Sequence, residues 1–313
     1  MKKNKCKYAF IIGSPRSGTT LLGDILDLHP EIARWYEPYF VLDYHFRNSS
    51  DDCRHSDDAA DEVRKYIVNA FEYYRKKSGC QIVVDKSPRN SLKLPFLLKI
   101  FPEARFIHIL RDGRDATLSI NREWKKRSNI LSGNKGKYLQ VFKTVTDFLT
   151  RQPFLKHKIA ALRFELGGFA NLGGDQGFLH RLRWEGRIGW GPRFKGWQDI
   201  IDNISTLEFN ALQWVNCVKP IIKEGACLDK ERFMEIHYEK FLDDPKMELE
   251  KIFSFLEVEF PRDFMSRLPS LKENNFGKWK KAFSPQEKAL IGPILNDLLI
   301  QLGYENSDSW YTG

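Results

Sequence analysis

Apolar and polar positions divide the first 130 residues into short blocks of alternating kind. Tyr8 to Ile12 is a continuous apolar run stopped by Gly13, the pattern of a strand buried on both faces that feeds a loop. From Thr19 to Leu28 the apolar spacing becomes helical, and His29-Pro30 ends it. Residues 34–40 mix aromatic and polar positions and predict a short strand and turn. Residues 47–61 are rich in Ser, Asp and Asn and predict an exposed connection. An amphipathic helix is expected over Asp61–Lys77, a second strand over Gln81–Asp85 and a helix over Asn90–Phe101, bounded by Pro102. A third strand, Arg105–Leu110, and a helix from Ala116 to Arg127 complete the series. Strands alternating with helices predict βαβ units, right-handed crossovers and a central parallel sheet.

The pattern then weakens. Between residues 128 and 200 glycines cluster from Gly167 to Gly196, and Trp184, Trp190 and Trp197 lie among them. So long an irregular stretch reads as a glycine- and aromatic-rich insertion, with 165–200 as a lid or wall beside a bound molecule. The competing reading is a packed surface excursion. Helical spacing returns at 205–224, a fourth strand is expected over Arg232–His237, and helices follow at 246–256 and 285–302. No repeat interrupts this order, so residues 1–313 read as a single α/β domain.

Composition narrows the picture modestly. Hydrophobic residues make up 42% and charged residues 29%, enough apolar material for a sizeable core. The formal net charge of +9 suits an anionic ligand, but no basic stripe interleaved with aromatics points to nucleic acid. The cysteines, Cys6, Cys53, Cys80, Cys217 and Cys227, are odd in number and lack metal-ligand spacing. Neither a disulfide framework nor a metal site is expected, and a reducing compartment fits. The apolar run after the basic MKKNK start is too short for a secretory signal, and no stretch reaches the ~20 apolar residues of a membrane span. The expectation is a cytoplasmic protein, or a soluble piece of a larger one.

The chemistry concentrates in the loop Gly13-Ser14-Pro15-Arg16-Ser17-Gly18-Thr19-Thr20, between the first strand and the first helix. Backbone N–H groups converging on a helix N-terminus make an anion site. Gly13 and Gly18 have the separation of the nucleoside-triphosphate loop G-x-x-x-x-G-K-[ST], but Thr19 stands where that motif needs Lys. The loop's cation is Arg16. A nucleotide or small-molecule kinase would also need an aspartate for magnesium, for which Asp85 is the candidate. A non-catalytic adenine-nucleotide-binding module is the other alternative.

PRSGTTLL after an apolar strand resembles the 5′-phosphosulfate loop of sulfotransferases that use 3′-phosphoadenosine 5′-phosphosulfate (PAPS), in the form found in tyrosylprotein and many bacterial enzymes. The stretch from Phe106 to Ser119 is similar to that family's 3′-phosphate motif, in which an Arg ending a strand and a Ser eight residues on hold the phosphate; Arg111 and Ser119 have that spacing. Val84 to Asn90 resembles the family's K-[ST]-P-R-N turn, and Ile236 to Phe241 its R-Y-E-D-L strand end. Asn275 to Lys280 resembles the late G-K-W loop that closes over the nucleotide. Trp190 to Arg193 and Gln213-Trp214 are similar to the middle of bacterial members. The resemblance runs from residue 8 to about residue 302.

The resemblance implies a P-loop-like three-layer α/β/α fold, PAPS as sulfuryl donor, no metal, and in-line transfer to a hydroxyl or amine. Arg16 would then bind the phosphosulfate with the N–H groups of Ser17, Gly18, Thr19 and Thr20, and Lys86 would be a second cation. Arg111 and Ser119 would hold the 3′-phosphate, and Tyr238, Gly277, Lys278 and Trp279 would line the nucleotide. Glu37 lies twenty-one residues after Arg16, the separation of the proposed base in tyrosylprotein sulfotransferases. The competing role for Glu37 is an ion pair with Arg16 or Arg89 that orders the pocket. His29, His45 and His108 are weaker candidates for the base, and His108 reads as a core histidine. The acceptor class stays open among glycan, lipid, peptide tyrosine, polyketide and small alcohol or phenol, as does a homodimer.

Overall fold

A computed structural model describes residues 6–132, 184–185, 189–271 and 275–312. Five parallel strands form one sheet: β1 (Tyr8–Ile12), β2 (Ile32–Tyr36), β3 (Ile82–Lys86), β4 (Arg105–Leu110) and β5 (Phe233–His237), in the order β2-β3-β1-β4-β5. The longer helices are α1 (Thr19–Leu26), α2 (Asp61–Ser78), α3 (Leu94–Ile100), α4 (Gly113–Ser132), α5 (Thr206–Gly225), α6 (Tyr238–Asp243), α7 (Pro245–Leu256) and α8 (Pro285–Gln301).

Alternation along the strands divides the core. Phe10, Ile12, Val83 and Phe106 face α2 and α3, where they pack with Phe71, Leu97 and Ile100. Ala9, Ile11, Val84, Ile107 and Ile109 face α1 and α7, where they meet Leu22, Leu249 and Phe253. The sheet is therefore the middle of three layers, as the βαβ pattern predicts. Chain order reverses at β1: β2 and β3 lie to one side, β4 and β5 to the other. Such a switch point opens a crevice beyond the carboxyl ends of the strands. The loops after β1 and β4 both empty into it.

Several boundaries differ from expectation. The short strand expected over 34–40 is the edge strand Ile32–Tyr36, followed by a turn and a short helix at Tyr39–Leu42. The single helix expected over Asn90–Phe101 is a 3₁₀ turn, Pro88–Leu92, followed by α3. Asp85 accepts a hydrogen bond from the Asn90 amide at 2.8 Å, which holds the turn against the strand end, and Pro95 opens a new helix. The helix after β4 starts at Gly113 rather than Ala116 and runs to Ser132.

Residues 47–61 are only partly exposed: Asp52 and Arg54 are buried. Asp52 accepts from the Arg193 backbone at 2.7 Å and from its guanidinium at 3.2 Å. A partner some 140 residues away draws this polar stretch inward. Most of the insertion expected at 128–200 lies outside the described residues. Trp184 and Trp197 are buried against Trp124 and Phe209, so these parts of it are core. No described helix is long and apolar enough to cross a membrane.

Candidate active site

The loop after β1 is held by glycine geometry. Gly18 has φ 100°, and a Cβ there would come within 2.5 Å of the Tyr238 ring. Only glycine combines that backbone with so close an approach. Gly18 is also the N-cap residue of α1 and has no side chain to offer its first turn. The orphan N–H groups of that turn are therefore left to an anion. Ser14 and Ser17 hydroxyls bond each other at 2.6 Å inside the loop. Thr19 is buried, while Arg16 and Thr20 are exposed.

Arg16 has φ 67° and Glu37 φ 46°, left-handed conformations that side chains rarely adopt. Such strain costs on the order of 1 kcal/mol or more per residue and gathers where function requires it. Among the described non-glycine residues only Glu185 and Glu257 also have a positive φ.

The expected 3′-phosphate residues meet the loop. Arg111 donates from one terminal nitrogen to the Arg16 carbonyl at 2.8 Å and from the other to the Asn275 carbonyl at 2.7 Å. Its guanidinium lies 4.5 Å from the Tyr238 ring centroid, and its buried Nε has no partner. Arg16 Nε donates to Ser119 Oγ at 3.0 Å, so the two halves of the anticipated anion site touch directly. Asn275 donates to the Tyr238 hydroxyl at 2.7 Å and accepts from Lys278 at 2.6 Å. Gly277 and Trp279 approach through their backbone, bound to Asp115. The structure thus gathers Arg16, Ser17, Gly18, Arg111, Ser119 and Tyr238 around one crevice, with Asn275 and Lys278 joined to it through hydrogen bonds, while Gly277 and Trp279 are bound to Asp115 behind the loop.

On the far side of β1, Lys86 ends β3 fully buried and donates to Glu37 Oε1 at 2.5 Å. Its ammonium also sits 3.8 Å above the Tyr36 ring. Burial pushes the Lys86 pKa down, opposed by the Glu37 charge. This corrects the expected alternative for Glu37: its partner is neither Arg16 nor Arg89. Arg89 instead pairs with Asp43 at 3.1 Å, beside Lys93, which is buried against the same carboxylate. Burial works to raise Asp43, yet Lys93 and Arg89 hold it below the usual carboxylate range.

The histidines are engaged elsewhere. His29 is buried, with Nε2 2.8 Å from the Glu259 carbonyl oxygen and Nδ1 accepting from the Glu31 N–H. His45 is exposed and packs by its ring against Tyr44 and Tyr66. His108 lies buried in β4, with Nδ1 2.9 Å from Glu235.

Asp43 escaped the sequence reading, and Asn275 and Asp115 entered it only as members of motifs, with no role of their own. Asp115 alone left a local signal, an acid in the first turn of a helix within RDGRD. Asp85, the kinase candidate for magnesium, is instead fully buried and accepts from Ser87 at 2.6 Å and from Asn90. Burial pushes its pKa up to about 7. No group of three or more His, Cys, Asp or Glu among the described residues is arranged to hold a metal ion.

A model of the sulfotransferase family matches residues 9–165, about half of the chain. Nodulation protein NoeE of Sinorhizobium fredii is 30% identical over 131 residues, covering 37% of this chain and 31% of its own length. Protein-tyrosine sulfotransferase 1 of Danio rerio is 32% identical over 121 residues, covering 36% and 34% respectively. The chain thus spans about a third of the length of these curated relatives. A solved sulfotransferase domain from the curacin biosynthetic pathway superposes with TM-score 0.52 at 15% identity, over 96% of this chain and 99% of that one, a likeness of fold.

Proposed function

The chain belongs to the sulfotransferase family, and from that premise we propose that it transfers a sulfuryl group from PAPS to an acceptor hydroxyl or amine. The observation that carries this reading is the meeting of Arg16, Ser119 and Arg111 in one crevice, a cation from the first loop beside the second motif's pair. Two features fit a nucleotide bearing phosphates at both ends. Arg111 keeps a buried Nε without a partner, and Gly18 caps α1 with no side chain to satisfy its first N–H groups. A fork-shaped guanidinium suits phosphate oxygens in a charge-assisted pair.

When bound, PAPS supplies the sulfuryl group and a phosphate leaving group. Arg16 and the N–H groups from Ser17 to Thr20 would offset the charge that develops on that phosphate. Arg111 and Ser119 would hold the 3′-phosphate, with Tyr238 and the 275–279 loop alongside. Lys86 is the second cation, kept in place by Glu37 and the Tyr36 ring. With Glu37 Oε1 engaged by Lys86, Oε2 is the atom we assign to receive the acceptor proton. Glu37 follows the end of β2 in a strained, left-handed backbone conformation, as residues at functional sites often do.

The kinase alternative has no loop Lys, and its aspartate is consumed by Ser87 and Asn90. The non-catalytic alternative leaves the ion pair of Glu37 and Lys86 without a task. Calorimetry with 3′-phosphoadenosine 5′-phosphate (PAP), followed by a sulfate-transfer assay over neutral glycans, phenols, lipids and tyrosyl peptides, tests the reading. Micromolar PAP binding and PAPS-dependent product are expected. Magnesium-dependent ATP consumption in their place would establish the kinase.

A further inference from the structure

The loop at 275–279 is tied on two sides. Towards the crevice, its Asn275 carbonyl accepts from Arg111 and its Asn275 amide donates to Tyr238. Away from the crevice, the Asp115 carboxylate accepts the Gly277 N–H through Oδ2 and the Trp279 N–H through Oδ1, the latter at 3.0 Å. Asp115 is 2% exposed, so these are charge-assisted bonds shielded from water. A cavity of about 200 Å³ lies against them, lined in part by Asp115, Gly277, Trp279 and Glu239. Beside this space the loop is held by those hydrogen bonds together with the packing of the buried Trp279 ring.

The next residue back, Arg114, extends the tie to the end of the chain. Its guanidinium lies 4.0 Å from the Trp279 ring centroid and 5.1 Å from that of Trp310. Asp112, Glu305 at 2.6 Å and the Tyr304 carbonyl at 3.1 Å fix its direction. Trp310 meets Trp279 edge to face at 5.5 Å and donates to Asn296 at 2.9 Å. Tyr311 sits flat on Gly292, where a Cβ would come within 2.1 Å of its ring. The segment 304–312 is therefore seated on α8 and closes over the back of Arg114 and Trp279.

We propose that Asp115 is a positioning residue that latches the 275–279 loop, and that the C-terminal segment braces this latch through Arg114 and Trp310. The proposal rests on the sulfotransferase reading in that the loop is taken to border the nucleotide. Nucleotide affinity is then set partly by side chains that never touch the nucleotide. Releasing the latch removes the carbonyl partner of Arg111 and lets the loop leave the crevice.

The test compares the whole chain with its Asp115→Asn and Trp310→Ala variants. The amide introduced by Asp115→Asn would turn a donor towards backbone donors while keeping the size of the side chain. Hydrogen exchange of the backbone amides of 275–282, measured without nucleotide, should accelerate about tenfold or more in Asp115→Asn and less in Trp310→Ala. Exchange in β1, β3 and β4 should not change. The PAP Kd should rise about tenfold in Asp115→Asn, and the KM for PAPS should rise more than kcat falls.

Unchanged exchange in the loop of both variants overturns the latch, as does faster exchange spread evenly over the chain. An unchanged PAP Kd alongside a loosened loop overturns its role in affinity. Should the unaltered protein bind no PAP, the functional reading fails, while the exchange data still decide the latch.

Discussion

The two sides of the crevice are built on different principles. On the side proposed for the nucleotide, the loop after β1, the start of α4 and the 275–279 loop offer backbone N–H groups and one or two cations, each from a short run of sequence. On the other side, around Glu37 and Lys86, charged side chains are buried in pairs drawn from distant segments: Lys86 with Glu37, Lys93 and Arg89 with Asp43, Arg193 with Asp52. An anion can be met by a loop whose geometry is local. A reacting acceptor needs a carboxylate and a cation held apart from water, which only tertiary packing provides. The first side should therefore tune affinity, and the second should control turnover and stability.

The widest separation between the sides is expected from Glu37→Gln. If Glu37 receives the proton, kcat should fall about 10²–10⁴-fold, while the PAP Kd measured by calorimetry stays close to that of the parent. Turnover retained in this variant would remove Glu37 from the chemistry. Asp43→Asn probes the same side through stability. It leaves Lys93 buried beside a neutral partner, a change that costs about 3–5 kcal/mol in known cases. Chemical denaturation should report it, and a loss near zero would mean that the pair is not energetically buried.

Arg111→Lys addresses the nucleotide side. An ammonium cannot reproduce the fork that spans the Arg16 and Asn275 carbonyls, so PAP affinity should drop about 10–100-fold with kcat at saturation affected less. An equal loss in kcat would blur the division between the sides.

The smallest effect concerns Asp85, which lies between them. Its folded pKa of about 7 stands above its ordinary value, so the fold favours the protonated form. Its contribution is fully present below about pH 4 and is lost as pH rises through about 7. Denaturation free energies at about pH 5 and pH 8 should therefore fall more steeply with pH in the parent than in Asp85→Asn. Equal slopes would mean that the carboxyl is ionised throughout.

Local chemistry was enough to read the strand, glycine loop and helix from Tyr8 to Leu26, because a buried apolar run and a helical period are each set by neighbouring residues. The same holds for β4 and Arg111, where an arginine closes a strand. The expected pairings of Glu37 failed for the opposite reason. Arg16, Lys86 and Arg89 all bear the charge it needs, and nothing in the sequence says which of them the fold carries within reach. The exposed connection at 47–61 failed likewise, since its polar residues look solvated until Arg193 arrives to pair with Asp52.

The sequence by itself determined the α/β class and the strand, glycine loop and helix that carry Arg16, since each rests on spacing within one strand, turn or helix; Arg111 and Ser119 were singled out by resemblance to a family motif. Only the tertiary structure decided that Lys86 belongs to Glu37, that Arg16 reaches Ser119, and that Asp115 binds the backbone of Gly277 and Trp279, with Trp310 packed against the Trp279 ring. Each of these joins segments far apart in the chain. Which of several like charges becomes a partner is settled by the packing of the sheet and its helices, and the residues themselves carry no mark of it.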